Sequence, residues 1–154
     1  MADRAETELA WAGPDMGLHE ECGVFGVYDP AGGCAQTTYY GLYALQHRGQ
    51  EACGIATIND REQSFYKDVG LVSEVFDKQT LQRLNGTMAV GHVRYATTGA
   101  RERENAQPLT IKYVKGTLAV VHNGNLVGVD QLRQKFEYQG AIFHTTSDSE
   151  LIAY

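Results

Sequence analysis

The run Cys22-Gly23-Val24-Phe25-Gly26-Val27-Tyr28 constrains the fold more than any other stretch of this chain. Side chains alternate between faces along a strand. Cys22, Val24 and Tyr28 fall on one side and Phe25 and Val27 on the other, so both sides are largely apolar. A strand of that kind belongs inside a layered structure, covered on both faces. Strand-like segments at 53–59, 63–68, 87–95, 109–114 and 117–122 supply partners, the last two joined tightly at Lys115-Gly116 as a hairpin. Helical spacing runs through Tyr39, Leu42, Tyr43 and Gln46 in residues 35–46. It returns through Val129, Leu132 and Phe136 and stops at Gly140. Mixed α and β structure follows.

Ser147-Asp148-Ser149-Glu150 has capping-box spacing, which predicts a further helix from there. That helix has room only as far as Tyr154, short of the usual length of about 11–12 residues. The chain is therefore expected to be a truncated domain. Residues 1–21 show no periodicity, contain the breaker Gly13-Pro14, and read as a loose leader.

At 154 residues the chain is one domain's worth, large enough to bury a core. No apolar run approaches the roughly 20 residues a membrane span needs. The leader carries Asp3, Arg4, Glu6, Glu8, Asp15, Glu20 and Glu21 and no apolar stretch, which argues against a secretory signal. A net charge of −6 with scattered basic residues argues against a nucleic-acid surface. Cys22, Cys34 and Cys53 make an odd count without a Cys-x-x-Cys pair, which suits neither a disulfide framework nor a zinc site. Reduced thiols in a cytoplasm are the expectation.

The chemistry gathers at four places. A free cysteine such as Cys22 is most often a small buried hydrophobe. To act as a nucleophile near neutral pH its thiol needs a base, since it titrates near 8.5. Cleavage between Glu21 and Cys22 would place an α-amino group of pKa about 7.7–8.0 on the nucleophile itself. A Cys–His dyad is the alternative, with His47, His92, His122 and His144 as candidates, though a structural role suits each better. Asn123-Gly124 is a common turn dipeptide. It is also a pair able to hold an oxyanion through one side-chain amide and one backbone N–H. Arg94 is a lone cation in the apolar run 89–95, fit either for a structural ion pair or for gripping a carboxylate bidentately. Asp148 opens a predicted helix, where acids are favoured anyway; it could instead receive an ammonium.

The order Cys22-Gly23, then Gly91-His92-Val93-Arg94-Tyr95-Ala96-Thr97-Thr98-Gly99, then His122-Asn123-Gly124-Asn125-Leu126, then Thr146-Ser147-Asp148-Ser149-Glu150 closely resembles the glutaminase domain of the class II, N-terminal-nucleophile glutamine amidotransferases. The resemblance runs from about residue 18 to the last residue. Within that group the wording is nearest to the amidophosphoribosyltransferase family, notably at Tyr40-Gly41-Leu42 and Glu104-Asn105-Ala106-Gln107-Pro108. Sugar-phosphate aminating relatives carry an Arg-Gly-Tyr-Asp version of the Arg48-Gly49-Gln50-Glu51 stretch and asparagine synthetases an Arg-Gly-Pro-Asp version, and this chain has neither. Cys53 departs from the small residue expected there, and a second thiol of similar size only packs.

The resemblance implies an α+β fold, the four-layer α-β-β-α sandwich of two antiparallel sheets, incomplete at its C-terminal end. It implies a leader at 1–21, a glutaminase domain at 22–154, and a phosphoribosyltransferase domain absent from this chain. It makes Cys22 the nucleophile, Asn123 and Gly124 the oxyanion donors, Arg94 and Asp148 the clamp on the glutamine α-carboxylate and α-ammonium, and Arg48 with Gly49 part of the cavity wall. Glutamine is the implied substrate and, for the complete enzyme, phosphoribosyl pyrophosphate. Expected with that enzyme are Mg2+, a homo-oligomeric state and, in members with long leaders, a structural 4Fe–4S cluster whose ligands lie C-terminal to these residues. No cofactor or metal is expected to be bound by this segment, and no nucleic acid or membrane. Two alternatives stand beside this: the glutaminase half of another class II amidotransferase, such as a sugar-phosphate aminating one, and a catalytically inert fragment.

Overall fold

The computed structural model describes residues 22–60, 62–95 and 103–154, and the leader expected at 1–21 lies outside them. Strand β1, Gly23–Tyr28, is followed by helix α1, Cys34–Ala44, and a 3₁₀ turn, Gln46–Arg48. Strands β2, Ala52–Asn59, and β3, Glu62–Val69, form a hairpin. Two short helices, α2 at Val72–Val75 and α3 at Lys78–Arg83, lead to β4, Met88–Arg94. Strands β5, Leu109–Tyr113, and β6, Gly116–Val120, form a second hairpin before α4, Val129–Tyr138, and a 3₁₀ segment, Asp148–Ala153.

The first four strands make one antiparallel sheet in the order β1-β4-β2-β3, and β5 with β6 makes the other. Register sets which residues meet α1. Phe25, Gly91 and Ile55 align across the sheet and face it, as do Gly23, Val93 and Cys53. Leu42 of α1, Ile55 and Val93 are fully buried together with Val72. Each aliphatic side chain so buried contributes about 1.5–3 kcal/mol. The other face of the sheet looks toward the β5–β6 hairpin, and the Asp148–Ala153 segment packs against that hairpin and α4. The molecule is α+β with two antiparallel sheets, layered α-β-β-α.

Several sequence expectations need correction. The strand covered on both faces is β2, whose residues Ala52 to Thr57 are all buried, because it sits centrally between β4 and β3. The strand at 22–28 lies at a sheet edge, and its inner face stays open among the described residues, with Val24 43% and Tyr28 68% exposed. The facing sheet is only two strands wide, and it leaves a cleft of about 400 Å³ lined by Tyr28, Met88, Ile58 and Leu118 among others. The hairpin turn is centred on Val114 and Lys115, one residue earlier than expected, with Tyr113 paired to Gly116.

The segment from Ser147 is a 3₁₀ helix. Its capping box does not close: Ser147 Oγ accepts from Ser149 N–H, but Glu150 turns back to accept from the N–H groups of His144 and Thr145. That satisfies two loop donors instead of the helix start, and the backbone hydrogen bonds and Thr145 hold the Glu150 carboxyl below its usual range against the opposing effect of burial. Helices α2 and α3, missed from the sequence, are four and six residues long, too short for a hydrophobic period to show. They are fixed locally, with Glu74 accepting from Leu71 N–H and Asp77 capping Thr80 N–H.

Candidate active site

Cys22 stands just before β1, beside the C-terminal end of β4. The register pairs Gly23 with Val93, so alternation puts Cys22 on the same side of the sheet as Arg94. The next residue of β4's exit, Tyr95, turns its N–H toward Cys22 Sγ at 3.4 Å, and the thiol reaches back to the Tyr95 carbonyl at 3.6 Å.

Two side chains from elsewhere in the chain meet at the Cys22 carbonyl. Asn123 Nδ2 donates to it at 2.7 Å and Arg48 Nε at 3.3 Å. Asn123 comes from the loop after β6, 101 residues away in sequence, and Arg48 from the 3₁₀ turn after α1. Gly124 has φ of +154°, and a Cβ there would lie 3.1 Å from His122 Nε2. Both facts call for glycine at that position.

Arg94 is anchored by Glu51, with Nη1 to Oε1 at 2.9 Å. Gly49 makes this possible. Its position for a Cβ lies 2.7 Å from the backbone of Val93 and Arg94, so only a glycine lets the Arg48 turn press against β4. Gln46 braces the same turn, its amide donating to the Gly49 carbonyl and accepting from Val72 N–H at 2.6 Å.

Asp148 faces the 122–126 loop from its other end. Its Oδ2 accepts from Leu126 N–H at 2.7 Å and its Oδ1 from Ser149 Oγ at 3.2 Å. Cys22, Arg48 and Asn123 are thus joined directly. Gly49 and Arg94 join them through the β4 end, and Gly124 and Asp148 through the 122–126 loop.

The histidines have other surroundings. His47 lies at the end of α1 with Nδ1 3.1 Å from the Ala44 carbonyl, and exposed His144 pairs with Glu150 at 3.5 Å. His92 is fully buried and pushed down to about 4, chiefly by burial. His122 Nδ1 lies 3.1 Å from Ser149 Oγ. Cys34 and Cys53 are both 1% exposed, and burial pushes the Cys53 thiol up to about 12, which makes it inert at neutral pH.

Sequence reasoning did not single out Tyr95, Glu51, Gln107 or Ser149. Glu51 and Tyr95 sit next to residues that were singled out, yet nothing in their type announces a contact with Arg94 or Cys22. Gln107 lay within the Glu104–Pro108 run that resembled the family, but its role shows only in the structure, where Asn105 to Leu109 are wholly buried.

Residues 76–154 match the model of the glutamine amidotransferase domain family. The chain is 51% identical over 153 residues to the amidophosphoribosyltransferase of Synechocystis sp., covering 96% of this chain and 31% of that protein. It is 50% identical over 133 residues to that of Methanocaldococcus jannaschii, covering 86% of this chain and 28% of the relative. Among solved structures it resembles a glutamine phosphoribosylpyrophosphate amidotransferase from B. subtilis complexed with ADP and GMP, with a TM-score of 0.72 and 45% identity, covering 86% of this chain and 28% of that one. A structure described as the allosteric regulatory enzyme of purine biosynthesis gives a TM-score of 0.79 at 47% identity, covering 84% of this chain and 28% of the other. The chain spans less than a third of the length of these relatives. With over half of its residues matched by the domain model and its fold superimposing on enzymes of that kind, the chain belongs to the glutamine amidotransferase domain family.

Proposed function

We propose that residues 22–154 are the glutaminase half of an amidophosphoribosyltransferase, and that they release ammonia from glutamine through a thioester on Cys22. The observation that carries this reading is the meeting of Asn123 Nδ2 and the Cys22 backbone beside a thiol that also receives the Tyr95 N–H. A thiol nucleophile with a side-chain amide donor held against its own backbone is part of what acyl transfer requires.

In this reading the Cys22 sulfur attacks the glutamine side-chain amide carbon, forming a C–S bond, and the carbonyl oxygen becomes an oxyanion. Asn123 Nδ2–H and Gly124 N–H receive that charge. The C–N bond then breaks, and the thiol proton leaves with the nitrogen as ammonia. Water hydrolyses the thioester, giving glutamate and restoring the thiol. Removal of residues 1–21 supplies the base as the Cys22 α-amine, which carries the proton from sulfur to nitrogen. Arg94 takes the substrate α-carboxylate and Asp148 its α-ammonium, with Arg48 and Gly49 shaping the wall.

In the complete enzyme the ammonia displaces pyrophosphate from phosphoribosyl pyrophosphate, giving phosphoribosylamine for purine synthesis, in a cytoplasmic homo-oligomer. The names of the relatives and structural neighbours support the amidophosphoribosyltransferase part of that assignment. Among the described residues no group of three His, Cys, Asp or Glu side chains could hold a metal ion. Among them, too, no helix is long and apolar enough to cross a membrane.

The test is glutamate and ammonia release from glutamine by the enzyme beginning at Cys22, with phosphoribosylamine formation when phosphoribosyl pyrophosphate is added. Equal yields of the two products, lost in Cys22→Ala, are expected. Glutamine turnover that survives Cys22→Ala would overturn the reading.

A further inference from the structure

Behind the oxyanion donors lies a buried polar network that the reaction itself does not use. Gln107 is 6% exposed and Ser149 2% exposed, so each of their polar groups needs a partner. The Gln107 side-chain amide grips both backbone groups of His122, the residue preceding Asn123. Its Oε1 accepts from His122 N–H at 2.6 Å, and its Nε2 donates to the His122 carbonyl at 3.3 Å. The same Nε2 donates to Ser149 Oγ at 3.3 Å. Ser149 Oγ in turn donates to Asp148 Oδ1 at 3.2 Å.

A hydroxyl has one proton to give and two lone pairs to offer. Once Ser149 donates to Asp148 and accepts from Gln107, its remaining lone pair faces His122 Nδ1 at 3.1 Å. The His122 ring thus joins the same network through Nδ1, with Nε2 lying beneath Gly124. The network joins Gln107, His122, Ser149 and Asp148 through one chain of hydrogen bonds.

Geometry gives the network its use. The loop from His122 to Leu126 contains both oxyanion donors, and it is held at each end: His122 by Gln107 and Leu126 by Asp148. Asn123 and Gly124 are themselves exposed, and beyond the Asn123 bond to the Cys22 carbonyl the held ends of the loop place them. Ser149 joins the two holding residues.

We propose that Gln107 is a positioning residue for the oxyanion donors, and that Ser149 links it to Asp148. Ammonium binding at Asp148 is thereby felt at Asn123 and Gly124. The inference rests on the reading of Asn123 and Gly124 given above. It adds that their aim is set by an amide 16 residues upstream of Asn123, through the backbone of His122.

A double-mutant cycle on the processed full chain tests it, with kcat and KM for glutamate release as readouts. Gln107→Met keeps the volume and removes all three hydrogen bonds. It should lower kcat by about 10²-fold, the scale expected when a reacting group is misplaced by about an ångström, while the glutamine KM stays near its original value. In an Asn123→Ala background the same substitution should cost clearly less than in the wild type, because one of the two donors it aims is already gone. Losses that multiply, or a loss confined to KM, would overturn the proposal. Ser149→Ala, a smaller change, serves if Gln107→Met does not fold; it too should lower kcat and be non-additive with Asn123→Ala, and a multiplicative loss would again count against the proposal. If Asn123→Ala by itself left kcat unchanged, the reading of the site would fall, and this inference with it.

Discussion

Glu51 holds Arg94 twice: its backbone N–H donates to the Arg94 carbonyl at 3.1 Å, and its carboxylate takes Arg94 Nη1 at 2.9 Å. The side chains are 9% and 18% exposed, so this pair is largely removed from water. A guanidinium has five N–H donors, and one bond to Glu51 orients the fork without exhausting it. The alternatives posed by the sequence, structural ion pair or carboxylate clamp, are therefore compatible in one residue.

Arg94→Leu should raise the KM for glutamine far more than that for free ammonia, measured in an enzyme that carries both activities. Glu51→Gln, which retains an acceptor but not the charge, should raise the glutamine KM by less. Equal losses with both nitrogen donors in Arg94→Leu would make Arg94 a structural residue only.

Asn123→Ala should cut glutaminase kcat by about 10²–10³ and leave glutamine binding nearly unchanged. Single-turnover thioester formation is the direct measurement. A change in KM alone would reassign Asn123 to binding.

His92 ties stability to pH. Its imidazole titrates at about 4 in the folded chain, against about 6.5 when unfolded, because burial disfavours the cation. Between those values the unfolded chain binds a proton that the folded one refuses. Stability is thus fully present above about pH 6.5 and declines as pH falls toward 4, by about 3 kcal/mol for this group. His92→Gln should flatten that decline in Tm measured from about pH 7 to about pH 4.5. Identical slopes in the two proteins would exclude His92 as the cause.

An amide nitrogen at Cys22 has no useful basicity, so activity should require loss of residues 1–21. Intact mass of the protein expressed in cells should show that loss in the wild type and retention of the leader in Cys22→Ala. Full glutaminase activity from protein that still carries the leader would sink the α-amine mechanism and bring a histidine back as the base.

The sequence by itself determined the kinds of elements and the residue types with chemistry to do. Strand-like segments were legible for every strand of both sheets, and the spacing of Tyr39, Leu42 and Tyr43 marked α1, because these patterns are local properties of the backbone. Cys22, Arg94, Asn123 and Asp148 were visible because each is a reactive or charged group in a context that needs explaining.

Tertiary structure alone decided who meets whom. The contact of Asn123 with Cys22 closes over 101 residues, and no period in the sequence encodes it. Likewise Glu51 finds Arg94, and Gln107 finds His122, only because sheet register and the Gly49 close approach bring separate strand ends together. Which face of β1 is covered was beyond the sequence too, since both its faces are apolar and only the width of the opposite sheet chooses between them.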